Sequence, residues 1–259
     1  DGLYKQQYLD FDSHLQYSTG RNLDYGVGYR FEWLHYRPAI FNTNFLFSGS
    51  NNFPTIYLYL RHNSLDRTVY PRRGVKIDAE GDWVFTQGPD VEFFQNGQPA
   101  NPDSFRVATN PYPRTILNVD GYIPLTAKTT LELMMQSGIN FNYHRNIMNE
   151  FSIGGLTHLF HNQIQFAGLQ EGSLYSPSMA TFQGAFRYEL FLNTYITGRA
   201  NILFNNFVSK SAFFQNPDIL SGYALTFGYN FALGPLEFSL MYCDQSKKIG
   251  SYVNIGIPF

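Results

Sequence analysis

Hydrophobic and polar side chains alternate along much of this chain. Over residues 75–85, charged side chains occupy the even positions from Lys76 to Asp82, while odd positions such as Val75 and Phe85 carry no charge. This two-residue period is typical of a β-strand with one apolar and one polar face. No segment shows a convincing 3.6-residue period of helix length. The alternation recurs over residues 22–33, 181–190, 222–231, 235–243 and 251–259.

The pattern predicts an all-β protein with eleven strands. Most are about 11 to 15 residues long, whereas strands of soluble sheets usually have about five or six. A tilted strand needs about 9–11 residues to cross the hydrocarbon of a membrane, so these strands have the length to span it. They lie near residues 9–19, 22–35, 54–66, 73–86, 114–124, 128–142, 179–191, 195–207, 220–231, 235–244 and 251–259.

The connections between these strands alternate between short and long. Short turns on one side and long loops on the other are typical of outer-membrane barrels. A soluble sandwich would also explain a single alternating strand, but it gives no reason for loop lengths to alternate. The sequence therefore predicts a transmembrane antiparallel β-barrel. Its short connections lie near residues 18–21, 68–73, 125–128, 193–195 and 233–235, and its long ones span 36–53, 87–113, 143–178, 208–219 and 245–250.

The composition agrees with this class. The 259 residues include 25 Phe and 19 Tyr, only 15% are charged, and the mean hydropathy is −0.25. No apolar run reaches the length of about 18 residues that a transmembrane helix requires. The net charge of −2 gives no argument for nucleic-acid binding. The single cysteine, Cys243, excludes an internal disulfide and a multi-cysteine metal site.

The charged strand faces are expected to line a hydrated lumen. An Arg or Lys on the lipid face would cost about 2–4 kcal/mol at mid-depth. Trp33 and Trp83 lie near the long-loop ends of their strands, as in an aromatic girdle. The expected lumen-facing charges, which can neutralise one another across strands, are Lys76, Asp78, Glu80, Asp82, Arg187, Glu189 and Arg199.

The odd strand count needs an explanation, because single-chain bacterial barrels have even numbers of strands. Either a further strand lies around Leu3–Gln7, or the chain is part of a larger barrel and lacks its N-terminal strands. We favour the second interpretation. The start at Asp1, without an initiator Met or a signal peptide, also indicates a mature or partial product.

Two motifs and the chain end resemble the BamA/TamA-type barrel superfamily, also called the bacterial surface antigen domain. HNSLDRTVYPRRG (62–74) resembles its D-x-x-x-x-(F/Y)-P-x-x-G turn, with one residue fewer between Asp66 and Tyr70, and EFSIGGLTHLF (150–160) resembles the F-x-x-G-G start of its long inward-folding loop. SYVNIGIPF resembles the C-terminal signal read by the outer-membrane assembly machinery. The matching positions are Asp66, Tyr70, Pro71, Gly74, Phe151, Gly154, Gly155, Val253, Ile255, Ile257 and Phe259.

The resemblance implies a barrel of about sixteen strands in the bacterial outer membrane. Residues 1–259 would form its C-terminal part, with the C-terminus in the periplasm and with the N-terminal strands and any periplasmic or passenger domain outside this chain. The implied partners are outer-membrane lipid and lipopolysaccharide, the assembly machinery during biogenesis, and a second barrel or another complex partner.

The long loop departs from part of this family. Insertase and translocase members carry an Arg-Gly-(F/Y) tip after the Gly-Gly, whereas this chain reads GGLTHLFHNQIQFAGLQEG. The run N-x-I-x-F-x-G-L resembles barrels fused behind patatin-like phospholipase domains. The favoured hypothesis is a barrel that anchors or exports such a domain located outside this chain, and the alternative is an assembly or translocation barrel of the insertase type. The run contains Asn162, Ile164, Phe166, Gly168 and Leu169.

No catalytic chemistry is predicted within the chain. It has no G-x-S-x-G nucleophile elbow, and the Asp120-Gly121 pair lies in the middle of a strand. His158 and His161 have no evident third ligand, so polar loop contacts are favoured over a metal site, and no cofactor is expected. A plain porin and a soluble lectin-like sandwich are further alternatives. The porin is disfavoured because residues 156–169 are expected to fold into the lumen as a plug.

Overall fold

The structure, a computed structural model, is all-β. It describes residues 4–38, 45–95, 98–100, 109–141, 150–158, 161–208, 217–232 and 234–256. Within these ranges, no helix is long and apolar enough to cross a membrane. In chain order the strands are β1 (Tyr4–Ser18), β2 (Leu23–Pro38), β3 (Phe45–Asn63), β4 (Gly74–Val84), β5 (Asp90–Gln95), β6 (Gln98–Ala100), β7 (Tyr112–Pro124), β8 (Thr129–Asn140), β9 (Phe151–Ile153), β10 (Gln163–Ile164), β11 (Leu174–Ser176), β12 (Ser178–Phe191), β13 (Thr194–Asn205), β14 (Asp218–Phe231), β15 (Gly234–Cys243) and β16 (Lys248–Ile255).

Eleven of these strands form one antiparallel path, and they confirm the eleven predicted segments. The path runs β1-β2-β3-β4-β7-β8-β12-β13-β14-β15-β16, with β5 and β6 attached beside β3. Three short strands, β9 to β11, form a separate small sheet within the long loop. Among the described strands, β1 pairs only with β2 and β16 only with β15, so each leaves one edge unpaired.

Three details of the strand prediction are wrong. β1 begins at Tyr4, so the residues near Leu3–Gln7 that the structure describes extend the first strand and form no further one. β3 begins at Phe45 because its first residues pair with β2 and β5. The expected long loop 245–250 is a tight turn, in which Lys247 adopts a φ of 52°, and β16 starts at Lys248.

The outer face of the sheet is apolar and exposed. The register aligns Leu15, Val27 and Leu58 across the first three strands, and the side chain of Leu15 is 77% exposed. Soluble proteins rarely expose contiguous apolar patches larger than a few hundred Å², so this face meets lipid and the soluble-sandwich alternative is wrong. Further exposed members include Phe11, Ile56, Leu60, Leu133, Phe182, Phe186, Leu225, Phe227, Phe238, Leu240, Val253 and Ile255.

Aromatic side chains lie near both ends of this apolar band. At the short-turn end, the rings of Tyr17 and Tyr25 lie 5.3 Å apart. At the long-loop end, Trp83 and Phe85 are exposed, and Trp33 stacks on His35. Such girdles are typical of the two membrane interfaces of a barrel.

The inner face contains an apolar cluster at the long-loop end. Leu34, Phe53, Val84 and Tyr112 project inward from four strands and pack with Phe93 of β5. A second cluster lies deeper, where Phe151, Ile153, Ile164 and Phe166 of the long loop pack against the wall strands. The long loop therefore lies inside the sheet.

Candidate functional site: the turn, the inward loop and the lumen charges

The β3–β4 turn is closed by Asp66. Its carboxylate Oδ1 accepts the backbone N–H groups of Arg72 at 2.8 Å and Arg73 at 3.1 Å. Burial raises the pKa of Asp66, but these hydrogen bonds and the nearby Arg67 outweigh it and hold the pKa below its ordinary value. Gly74 ends the turn with a φ of +114°, and a Cβ there would lie 2.3 Å from the carbonyl oxygen of Ser64. The turn therefore requires Asp66 to bind the backbone N–H groups, and it requires glycine at position 74 because a Cβ would clash there.

Tyr70 turns from this loop into the lumen. It adopts a φ of 50°, and its ring stacks on Tyr195 of β13 with centroids 4.2 Å apart. Its hydroxyl donates to Glu237 Oε1 of β15 at 3.0 Å, while burial and then the Glu237 carboxylate raise the pKa of the phenol. A Cβ on Gly228 of β14 would lie 2.3 Å from the Tyr70 hydroxyl, so the wall leaves room for the ring only at a glycine.

Pro71 is held by Arg187, one of the predicted lumen charges. The guanidinium of Arg187 donates to the Pro71 carbonyl and to Glu132 Oε1, the latter at 2.5 Å. It also lies 5.5 Å from the ring centroid of Tyr70. Both Arg187 and Glu132 are buried, so the turn is joined to the opposite wall by a charge pair as well as by an aromatic stack.

The inward loop holds its shape through backbone contacts. β9 pairs with β10 and β11, and the side-chain Nε2 of Gln163 donates to the backbone carbonyls of Gly154 and Thr157. Gly154 and Gly155 have φ values of +126° and +78°. The Asn162 amide donates to the Glu150 carbonyl at 3.2 Å. The Phe-x-x-Gly-Gly motif therefore opens a compact structure of its own.

Backbone groups of the loop dock on the barrel wall. The N–H of Gln165 donates to Gln136 Oε1 at 2.9 Å. With its amide oriented to satisfy both groups, Asn201 binds the N–H and the carbonyl of Ala167. A Cβ on Gly222 of β14 would lie 1.8 Å from the Ala167 carbonyl oxygen, and one on Gly168 would lie 2.6 Å from a carbonyl oxygen of β15. The loop thus sits at van der Waals distance from the wall.

Two side-chain contacts connect the loop to the ends of the sheet path. His161 Nε2 lies 2.7 Å from Arg30 Nη1 of β2 and 2.9 Å from Glu80 Oε1 of β4. At the other end, the hydroxyl of Tyr252 on β16 donates to Glu171 Oε1 at 2.6 Å. The loop therefore spans the lumen from β2 and β4 to the last strand, β16.

The charges on β2, β4 and β7 form a paired network. Arg30 Nη1 donates to Glu80 Oε1 at 2.6 Å, and its Nε donates to Asp12 Oδ2 at 3.0 Å. Arg114 binds Asp82 at 2.5 Å and Glu32 at 3.1 Å. These carboxylates and guanidiniums lie on the face opposite the exposed aromatics. Charges buried in a low-dielectric environment require such pairing, because it offsets the free energy of their desolvation.

Three of these groups also have the composition of a metal site. Ligand atoms of Glu80, Asp82 and His161 lie within 4.8 Å of one another. However, Arg30 Nη1 lies against both Glu80 and His161, so a guanidinium already occupies the cation position between them. His158, the other histidine of the loop, is half-buried, and desolvation lowers its pKa to about 4.

The remaining predicted positions are dispersed. Lys76 pairs with Asp78, and Asp78 also pairs with Arg61, whereas Glu189 and Arg199 form no ion pair with a described residue. Of the predicted charges, only Lys76 and Asp78 pair with each other. Lys76 and Arg199 line a polar cavity of about 570 Å³ between the turn and the inward loop. Val253 and Ile255 lie exposed on β16, and Ile257 and Phe259 fall outside the described residues.

Several partners in this network were not among the predicted site residues. Arg114 pairs with Asp82, and Glu132 pairs with Arg187. Tyr195 and Glu237 both contact Tyr70. All four occupy inward positions of predicted strands. The alternation of each strand places these four side chains on its inward face. The sequence of a single strand does not show which residues of other strands they contact.

Comparison with known proteins decides the family. A family model described as the OMP85 superfamily matches residues 5–259, nearly the whole chain. The chain belongs to the OMP85 superfamily. It is therefore an outer-membrane β-barrel, as the motifs of the turn and the loop indicated.

A solved structure shows the same fold. The crystal structure of BamA from Haemophilus ducreyi lacking POTRA domains 1–3 superposes with a TM-score of 0.66 and 12% sequence identity. The match covers 96% of this OMP85 chain but 54% of that chain, so the present sequence spans about half the length of that structure. A search of curated proteins finds no match.

Proposed function

We propose that this OMP85 barrel is the membrane anchor of a patatin-like phospholipase domain that lies outside this sequence. The observation that carries the proposal is the way the inward loop docks. Where insertase and translocase members are expected to carry a tip arginine, this loop presents His161, and backbone groups of Gln165 and Ala167 bind polar side chains of the wall.

The filled lumen supports a role as a membrane anchor rather than as a channel for a polypeptide or a solute. The apolar cluster around Leu34 and Tyr112 occupies the long-loop end, and Tyr70 with Arg187 occupies the short-turn end. The inward loop lies between them. A polypeptide or a solute would have to displace these buried groups, which also argues against a plain porin.

The proposal includes an orientation and a larger barrel. We place the short turns and the C-terminus in the periplasm and the long loops outside, where lipopolysaccharide would surround them. Both unpaired edges, on β1 and β16, run in the same direction because the path contains eleven antiparallel strands. Additional strands between them would close the barrel, since exposed edges are otherwise available for pairing.

The decisive experiment uses the complete gene product. The full-length protein, purified in detergent, should hydrolyse a fluorogenic phospholipid, and a variant lacking the domain's nucleophilic serine should lose that activity while the barrel remains folded. A gene that encodes no hydrolase domain together with this barrel would refute the proposal. Large steady conductance in planar bilayers would favour a porin instead.

The fold shared with a BamA structure favours a second candidate, an assembly or translocation barrel of the insertase type. An exposed edge can accept a substrate strand by β-augmentation, and a BamA structure shares the fold. This protein would then act with the outer-membrane assembly machinery. Depletion of the protein should lower the amount of other folded outer-membrane proteins; if they insert normally, this function is excluded.

A further inference from the structure

Basic side chains are concentrated at the short-turn end of the barrel. Arg21 lies in the β1–β2 turn, Arg67 and Arg73 in the β3–β4 turn, and Lys128 in the β7–β8 turn, and all four are exposed. Arg72, also in the β3–β4 turn, donates through Nη2 to the carbonyl oxygen of Thr126 at 2.9 Å. The β3–β4 and β7–β8 turns are therefore in contact, and we call the five residues Arg21, Arg67, Arg72, Arg73 and Lys128 the basic rim.

The acidic side chains at this end are fewer than the basic ones, so they do not neutralise the positive charge of the basic rim. Asp66 forms an ion pair with Arg67 at 3.5 Å, and its other oxygen binds backbone N–H groups. Arg21, Arg73 and Lys128 form no ion pair with a described residue.

The opposite end of the barrel is balanced in charge within the described residues. Its turns and strand ends carry as many acidic as basic side chains, so the excess of positive charge is specific to the short-turn end. Those at the long-loop end are Lys5, Arg37, Lys247 and Lys248 against Asp90, Glu92, Asp218 and Asp244, and those at the short-turn end are the five residues of the basic rim against Asp24, Asp66 and Glu189.

The basic rim lies at the depth of lipid headgroups. The apolar outer face ends at Leu60 on β3 and resumes at Val75 on β4, so the turn between them begins where the hydrocarbon ends. The headgroup layer extends roughly 5–8 Å beyond the hydrocarbon, a distance that Arg and Lys side chains reach.

Exposed apolar side chains accompany the basic rim. Leu125 lies in the same turn as Lys128, and Phe191 and Leu192 at the β12–β13 turn are 73% and 83% exposed. A soluble acidic domain would leave these side chains in water, whereas a lipid leaflet covers them. The combination of free cations and exposed apolar groups fits a membrane surface.

We propose that the basic rim binds the phosphate groups of anionic phospholipids in the leaflet at the short-turn end. Guanidinium and ammonium groups are the usual protein donors to phosphate. Each Lys or Arg near an anionic surface adds to its attraction for that surface, so several together select anionic over zwitterionic lipid. The barrel thereby recruits a defined lipid at one of its two ends.

Native mass spectrometry of the full-length protein, released from micelles with equal amounts of phosphatidylglycerol and phosphatidylcholine, tests the proposal. The wild-type protein should retain more phosphatidylglycerol than phosphatidylcholine. The triple variant Arg21→Gln, Arg73→Gln, Lys128→Gln should show this preference lowered by about tenfold or more. Heat-modifiable migration in gels checks that each variant is folded.

The control is the triple variant Arg37→Gln, Lys247→Gln, Lys248→Gln, which changes the net charge equally at the other end. It should retain the wild-type preference. Equal retention of both lipids by the wild-type protein, or an equal loss in both triple variants, overturns the proposal. Addition of water-soluble glycerol 3-phosphate should leave the lipid bound; if it displaces phosphatidylglycerol, the rim is a site for free phosphate and the lipid assignment is wrong.

Discussion

Tyr70 of the β3–β4 turn and Tyr195 of β13 stack inside the barrel with ring centroids 4.2 Å apart. The contact joins a turn of the first half of the sheet to a strand of the second half. Because Tyr70 also donates to Glu237 and Pro71 accepts from Arg187, the turn braces the barrel across its lumen. The D-x-x-x-Y-P-x-x-G segment therefore acts on strands that are remote in sequence.

Removal of the Tyr70 ring should destabilise the barrel strongly. Tyr70→Ala should cost about 3–5 kcal/mol, as for other buried aromatic deletions, whereas Tyr70→Phe keeps the stack and should cost about 1–2 kcal/mol for the lost hydrogen bond to Glu237. Urea unfolding in lipid bilayers, followed by tryptophan fluorescence, measures both. Equal stabilities of the two variants would contradict a role for the stack.

Loss of Arg187 should leave Glu132 buried without its cation. Arg187→Met should cost about 3–5 kcal/mol, and the double variant Arg187→Met, Glu132→Leu should recover most of this. Arg199→Met is a matched control, because Arg199 forms no ion pair with a described residue, and should cost about 1 kcal/mol or less. The same unfolding assay applies; a double variant no better than Arg187→Met would contradict the pairing.

A methyl group on Gly222 should displace the inward loop. The added Cβ would overlap the Ala167 carbonyl, so hydrogen exchange of residues 161–172 should accelerate by about tenfold or more. Gly198→Ala is the control, since a Cβ there meets no atom within 4 Å. Unchanged exchange in Gly222→Ala would show that the loop does not rest on this wall.

Acidification should loosen the loop through His158. Burial lowers its pKa to about 4, whereas a solvated histidine has a pKa near 6.5, so the docked loop disfavours the proton. Docking is therefore fully stabilised above about pH 6.5 and loses stability as the pH falls toward 4. Loop hydrogen exchange, corrected for the intrinsic pH dependence, should rise over this range, and His158→Gln should flatten the rise. An identical pH profile in the variant would assign the effect to other groups.

The terminal strand should depend on its contact with the loop. Tyr252→Phe removes the hydrogen bond to Glu171, worth about 1 kcal/mol, and should raise hydrogen exchange in β16 by about fivefold. Tyr242→Phe removes a hydroxyl from the exposed outer face and serves as the control. If both variants exchange alike, the loop does not hold β16.

The strand prediction succeeded because alternation is a local property. On β4, the charges at Lys76, Asp78, Glu80 and Asp82 could only lie on one face, and the register with β3 and β7 follows the same alternation. It failed at the start of β3, where pairing with β5 extends the strand to Phe45. That pairing depends on a segment 40 to 50 residues away in sequence, which the local period of β3 cannot indicate.

By itself, the sequence determined the number of long strands, their apolar and polar faces and the superfamily motifs, because a two-residue period allows only two faces. The tertiary structure decided which charges meet: Arg187 binds Glu132 and Arg114 binds Asp82, and His161 reaches Arg30 from the loop. Strand register and the curvature of the sheet bring these groups together. The spacing of residues along a single strand specifies neither the register nor the curvature.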